Sequence, residues 1–335
     1  MEGKSLAGKL FYQKIKDRRI EMDLTQKHLS EKFNINLNTI KGLETGRTGI
    51  DISNEQTLSK YKEMFEYLGF KFEEIYQDEY RNTKVLAVLN NKGGCGKTSV
   101  VGNLGYALSE LGNKILCVDA DMQSNLTHSF GIDTNDEQHL GTAILKEESL
   151  ENYIIKTEYE NIDFIKADLS MSSIEMSLFT KVHRENILTQ ILGPVIEKGT
   201  YDYILIDTNP TLAILNFNVL NASDYVLIPV QMNSFGLKGL GVVTKFIKDV
   251  QKFNTKLTLI GIVINNYDVR KSVTVESERF LREAYPTSIM NTIIKVDTTM
   301  ENAQYYREPV IVFNRNSRIA KEFRELAKEV LNFGK

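Results

Sequence analysis

The 335 residues carry 41 lysines and arginines against 44 aspartates and glutamates, a formal net charge of -3, so the whole chain is no polycation for coating nucleic acid. Its two cysteines cannot build a disulfide framework, its four histidines (His28, His128, His139, His183) lack zinc-ligand spacing, and no apolar run approaches the ~20 residues of a membrane span. A reduced, cytoplasmic protein without a signal peptide is expected, long enough for one large domain plus a small one.

The charge is uneven. Residues 1–50 hold 10 basic against 6 acidic side chains, which makes the front end the basic end. An amphipathic helix is expected over FYQKIKDRRIEMD, residues 11–23. In LTQKHLSEKFNINLNTIKGLETGR, Thr25 is a candidate N-cap, Leu29 and Phe33 form an apolar i, i+4 pair, and a turn falls at Asn34 to Asn36. A second short helix then runs from Leu37 to Thr45, with Ile40 and Leu43 inward and Gly46 as its stop. Two short helices about so tight a turn are the frame of a helix-turn-helix.

This stretch resembles the helix-turn-helix of phage repressors of the Cro/CI type, through Leu24-Thr25-Gln26, Thr39-Ile40 and Glu44-Thr45-Gly46. The resemblance implies that Gln26, Asn38, Thr39, Lys41 and Arg47 meet DNA, the amides suiting paired base edges and the cations phosphates. Leu37 and Gly42 stand at recognition-helix positions often held by polar residues, which argues against detailed base reading. A helical module that only packs on a neighbour is the alternative. Further on, Leu58, Tyr61, Phe65 and Leu68 at helical spacing are expected to complete this small core. The polar stretch QDEYRNTK, residues 77–84, has no periodicity, so the domains are expected at 1–80 and 81–335.

KVLAVL, residues 84–89, reads as a buried parallel strand, and SVVGNLGYALSELG as a helix ending at Gly112. Between them lies NNKGGCGKTS. Glycines 93, 94 and 96 let backbone N–H groups turn around anionic oxygens, the helix N-terminus adds partial positive charge, and Lys97 and Thr98 reach phosphate and Mg2+. The common consensus has glycine where this chain has Asn91, and adds no lysine at 92.

The string Lys92-Gly93-Gly94-Cys95-Gly96-Lys97-Thr98 resembles the deviant Walker A motif of the ParA/MinD group of ATPases, and the similarity extends from about Lys84 to the C-terminus. It implies an α/β fold, a P-loop NTPase with a mostly parallel sheet flanked by helices, joined to a small all-α helix-turn-helix domain. Cofactors ATP and Mg2+ are implied, with Gly93, Gly94, Cys95, Gly96, Lys97, Thr98 and Ser99 around the nucleotide. By the same resemblance, Lys92 reaches the nucleotide of a second copy in an ATP-dependent homodimer. In NKILCVDADMQSN, Asp119 is expected near the metal's water shell and Asp121 is expected to orient the attacking water. The family usually writes D-x-D-P-Q-G, so Met122 and Ser124 are departures. In YDYILIDTNPTL, Asp207 is expected to reach Mg2+ through water, and Asn209 stands where relatives commonly have the first of two prolines. LTLIGIVINNYDVR gives a strand ending at Asn265, either against adenine or as a turn residue.

Within the group, cluster-binding reductases need cysteine ligands that Cys95 and Cys117 do not supply. A MinD-like positioning ATPase ends in a membrane-binding helix, whereas SRIAKEFRELAKEVLNF alternates its charges, so Ile319, Phe323, Leu326 and Val330 are expected to pack on the sheet. Glu301 with Ala303, Pro309-Val310 and Ser317 resemble the C-terminal part of plasmid and chromosome partition ATPases. That resemblance implies nonspecific DNA binding, with Lys295 as a contact and Arg270, Lys271, Arg279 and Arg282 as further candidates. It also implies a ParB-like centromere-binding partner, nucleoid association, autorepression through an operator and no membrane. An ATP-sensing transcription regulator that moves no cargo is the rival.

Overall fold

A computed structural model describes residues 9–45, 55–70, 83–134, 137–232 and 234–333. The chain divides into two compact units, one N-terminal to Thr83 and a larger one from Thr83 onward.

Among the described residues the first unit holds four helices: α1 (Lys9–Glu21), α2 (Gln26–Phe33), α3 (Leu37–Glu44) and α4 (Glu55–Tyr67). Thr25 caps α2 by accepting from the His28 N–H at 3.0 Å. Asn34 ends the helix in the left-handed region at φ 50, which an asparagine tolerates. Asn36 then caps α3 through the Asn38 N–H. Ile15, Leu29, Ile40, Leu43, Tyr61, Phe65 and Leu68 fill one core, so the apolar spacing seen in the sequence is core spacing. Gly46 lies outside the described residues, and of Leu58 only the backbone is described.

The second unit is built on an eight-stranded sheet in the order β3-β4-β2-β5-β1-β6-β7-β8. Its strands are β1 (Lys84–Val88), β2 (Ile115–Ala120), β3 (Ile155–Lys156), β4 (Ile162–Ile165), β5 (Tyr203–Thr208), β6 (Tyr225–Val230), β7 (Thr258–Tyr267) and β8 (Ile289–Lys295). Every pairing is parallel except β3 with β4. Alternate residues of β1 feed two cores: Val85 and Ala87 join one, Leu86 and Val88 the other. A strand covered on both faces has no polar side, which is why β1 reads as an unbroken apolar run.

Helices cover both faces: α5 (Lys97–Glu110), α6 (Asn125–Ser129), α7 (Leu140–Lys146), α8 (Ile174–Thr180), α9 (Ile187–Glu197), α10 (Ile214–Asn221), α11 (Ser234–Val250), α12 (Ser272–Ala284), α13 (Thr298–Tyr306), α14 (Val310–Phe313) and α15 (Arg318–Asn332). Ile319, Phe323, Leu326 and Val330 of α15 are buried in the same core as Leu86 and Val88. The C-terminal stripe is therefore core, as its alternating charges implied. Strand β7 continues to Tyr267, past Asn265, because β8 pairs that far, Tyr267 with Lys295. Because the strands run parallel, the C-terminal ends of β1, β2, β5, β6, β7 and β8 all open on one edge of the sheet. In such sheets this edge is where ligands bind.

Candidate functional site

The loop between β1 and α5 is held from several sides. Gly94 and Gly96 have φ of 72 and 90, a left-handed backbone that glycine adopts without strain. The Gly94 carbonyl accepts from Gln231 Nε2 at 2.6 Å, and the Cys95 carbonyl accepts from Asn265 Nδ2 at 2.8 Å. Carbonyl and N–H point opposite ways across a trans peptide, so these two grips turn the Cys95 and Gly96 N–H groups to the other side. Lys97 is buried, and its Nζ donates to the Lys92 carbonyl at 3.4 Å. The packing at Gly96 is close: a Cβ there would lie 2.0 Å from Asn265 Nδ2.

Acidic groups converge beside the loop. Register places Asp119 of β2 opposite Asp207 of β5, and Val88 of β1 on the other flank of Asp207. Asp207 is fully buried; its Oδ2 accepts from Thr98 Oγ1 at 2.7 Å, while its Oδ1 has no hydrogen-bond partner. Burial, then the nearby Asp119 charge, raise its pKa well above the ordinary carboxylate value. An orphaned carboxylate oxygen beside a threonine hydroxyl is an arrangement that a hard cation such as Mg2+ satisfies. Thr98 and Asp207 fit that ion.

Asp119 stands beside Asp207, and both of its carboxylate oxygens are engaged within the protein. Its Oδ2 accepts from the Thr127 N–H at 2.9 Å and Oγ1 at 2.7 Å, and its Oδ1 accepts from the Asp121 N–H at 3.1 Å. Both oxygens thus anchor the segment that follows β2. Burial still pushes its pKa up to about 6. Asp121 itself faces the cleft, and its Oδ1 accepts from the Gln123 N–H at 3.0 Å.

Loop, acids and strand ends enclose a cleft of about 860 Å3, lined by Gly93, Gly94, Gly96, Lys97, Thr98, Ser99, Asp121, Asn265 and Lys295 among others. Cys95 is buried behind the loop, and burial raises its thiol pKa. Lys92 is half-buried at the loop's tip. One N–H of the Asn265 side-chain amide goes to the loop, so any adenine contact would fall to its other N–H and its Oδ1. The opposite wall comes from α13 and the turn after it. There Gln304 donates to Ser99 Oγ at 3.1 Å, and the Val310 N–H donates to Asn103 Oδ1 at 2.7 Å. Gln231, Gln304, Asn90 and Asn103 carry no motif, and only the spacing of Gln231 after an apolar strand hinted at a cleft position.

The DNA candidates are distributed over both units. In the first, Asn38 and Lys41 are exposed and Thr39 is half-buried. Gln26 donates its amide to Glu44 Oε2 at 2.7 Å, which ties it to the internal Arg19–Glu44 pair. Arg47 lies outside the described residues. In the second, Lys295 pairs loosely with Glu322 at 3.9 Å. Arg270 and Lys271 both pair with Asp268, Arg279 with Glu283 and Arg282 with Glu278.

A strand, a glycine cradle, a buried lysine and two aligned strand-end aspartates on the carboxyl edge of a parallel sheet define a P-loop nucleotide hydrolase. A family model described as AAA domain matches residues 83–259. The chain is 35% identical to the sporulation initiation inhibitor protein Soj of Bacillus subtilis, over 74% of this chain and 98% of that protein. It is 31% identical to the chromosome partitioning protein ParA of Caulobacter vibrioides, over 74% and 94%. Among solved structures, cobyrinic acid a,c-diamide synthase of Mycobacterium smegmatis, with ADP and magnesium bound, superposes with a TM-score of 0.65 at 28% identity, over 74% of this chain and 94% of that one. The chain belongs to the ParA/MinD family of P-loop ATPases.

Proposed function

We propose that the protein is a DNA partition ATPase that closes as a dimer around two ATP molecules, binds DNA in that state, and hydrolyses ATP when a ParB-like partner stimulates it. The observation that carries this reading is the pair of lysines in one loop. Lys97 is buried within the cradle, and Lys92 sits five positions earlier at its tip. By the resemblance of Lys92-Gly93-Gly94-Cys95-Gly96-Lys97-Thr98 to the deviant Walker A motif, the nucleotide of a second copy would supply anionic oxygens to Lys92, which an added cation beside a phosphate cradle suits. Relatives named for chromosome partitioning support the cargo.

In this reading Thr98 and Asp207 hold Mg2+, and Asp121 orients the attacking water. Magnesium, when bound, neutralises charge on the phosphate oxygens during the loose transfer. The basic front end, with Asn38 and Lys41 exposed on α3, supplies specific or operator contacts, and Lys295 a nonspecific one.

The deciding experiment is an ATPase assay with and without nonspecific DNA, and with and without the small basic DNA-binding protein expected from a neighbouring gene. Both additions should raise turnover. Turnover indifferent to both would sink the partition reading and favour an ATP-sensing transcription regulator, which the exposed α3 face also suits. Lys92→Ala should retain nucleotide binding by the monomer while losing ATP-driven dimers. A MinD-like membrane reading would need the α15 stripe, which lies in the core.

A further inference from the structure

We infer that Gln231 is a positioning residue for Lys92, acting through the backbone of the loop tip. Lys92 stands in the middle of a short turn, and both flanks of that turn hang on the end of β6. On one side, Asn90 donates its Nδ2 to the Pro229 carbonyl at 2.7 Å, and its Oδ1 accepts the Lys92 N–H at 3.0 Å. On the other side, Gln231 Nε2 donates to the Gly94 carbonyl at 2.6 Å. The peptide carrying Lys92 is thus strung between two points on one strand end.

At the two glycines that follow Lys92, no side-chain packing does this work. A Cβ built on Gly93 or Gly94 would meet nothing within 4 Å, whereas one on Gly96 would strike Asn265 at 2.0 Å. The cradle's base is wedged by a side chain, and its tip is restrained by hydrogen bonds. A glycine pair with open space where side chains would stand is the part of a loop that wanders most, because glycine has the largest conformational freedom to lose. Removing the Gln231 grip should therefore loosen the direction of Lys92 and, one peptide on, the Cys95 N–H, and leave the Gly96–Lys97 part of the cradle, held by Asn265, in place. Gln231 also lies three residues before α11 begins at Ser234, so a displacement of that helix start would be felt at the tip.

The inference rests on the shared-nucleotide reading of Lys92, and the test separates the two. Gln231→Met keeps the length and volume of the side chain and removes its donor; Gln231→Glu keeps the shape and turns a donor into an acceptor facing a carbonyl. Fluorescent ADP titration reads the cradle, and ATP-driven dimerisation by sedimentation together with DNA-stimulated turnover reads Lys92. We expect a small loss of ADP affinity in both variants, about two- to threefold through the Cys95 N–H, with dimerisation and turnover reduced further, about five- to tenfold, the worth of one hydrogen bond. Asn265→Ala should show the reverse pattern, weaker ADP binding before any defect in assembly. Lys92→Ala is measured alongside. If Lys92→Ala fails to dimerise while Gln231→Met behaves as wild type, the inference alone is overturned. Equal losses of ADP affinity and turnover in Gln231→Met would also overturn it, since that is the signature of a loop that has simply collapsed. If Lys92→Ala dimerises normally, the shared-nucleotide reading falls and takes the inference with it.

Discussion

Gly96→Ala tests the geometry of the cradle directly. At φ 90 an alanine is held in the left-handed region, at a cost of about 1–2 kcal/mol. Its Cβ would also lie 2.0 Å from Asn265 Nδ2, so the amide must swing away and release the 2.8 Å bond to the Cys95 carbonyl. That bond is worth about 1 kcal/mol. In the free variant the loop relaxes out of the strained conformation, and binding must restore it, so both terms appear as lost affinity. Together they come to about 2–3 kcal/mol, a roughly 30- to 150-fold rise in the ADP dissociation constant. Asn265→Ala alone should weaken binding about fivefold, from the same single bond. In the double variant there is no collision and the missing bond counts once, so the loss is again the strain plus one bond. The double variant should bind no worse than Gly96→Ala, a coupling of about 1 kcal/mol in the cycle. Fluorescent ADP titration of the three variants checks this. A double variant weakened by the product of the two single effects would refute the contact, and wild-type affinity in Gly96→Ala would refute the strain.

Asp207→Asn should raise the melting temperature of the nucleotide-free protein by a few degrees, since it removes a buried charge facing Asp119, while abolishing magnesium-dependent turnover; a lower melting temperature would contradict the burial argument. Glu44→Ala leaves Arg19 without its buried partner and Gln26 without its acceptor, a loss of about 3–5 kcal/mol that should unfold the N-terminal unit. ADP affinity should survive that change, and calorimetry showing an intact N-terminal transition would argue against the pair. Cys95 and Cys117 are both buried, and burial raises both thiols, so neither should react with a thiol reagent at neutral pH within minutes. Rapid stoichiometric labelling of the native protein would contradict their placement.

The strands were legible because a two-faced parallel sheet writes each of them as an apolar run, as in KVLAVL and YDYILID. The cradle was legible because its chemistry is local: glycines, lysine and threonine sit within one short string. What escaped the sequence is whatever register brings together. Gln231 and Asn265 come from β6 and β7, and nothing near either residue announces that its amide ends on a carbonyl well over a hundred positions earlier. Asp119 is a similar case. Spacing identified it as a strand-end acid, but its saturation by Thr127 and Asp121 depends on how α6 returns to β2. The extent of β7 is set by its pairing with β8, which no single segment encodes.

Two of the departures from the family's loops, Ser124 and Asn209, turn on the same distinction between residue and geometry. Ser124 replaces a glycine and still takes φ 54, ψ 28, the left-handed shape that glycine adopts without cost. The following helix is then held by Asp119 through Thr127, whose hydroxyl also accepts the Ala167 N–H at 3.1 Å. Asn209 replaces a proline, which would have fixed the turn through its ring. Instead its Oδ1 accepts from the Thr211 N–H at 2.9 Å and Thr211 Oγ1 at 2.6 Å, an Asx-turn that closes the same stretch by hydrogen bonding. Asn216, fully buried, adds bonds to the Asn209 carbonyl and side chain. A turn fixed by hydrogen bonds opens more readily than one fixed by a ring, because its closure can be exchanged for water. The segment after Asp207 therefore owes its stiffness to hydrogen-bonding neighbours, Asn216 among them, and not to a ring.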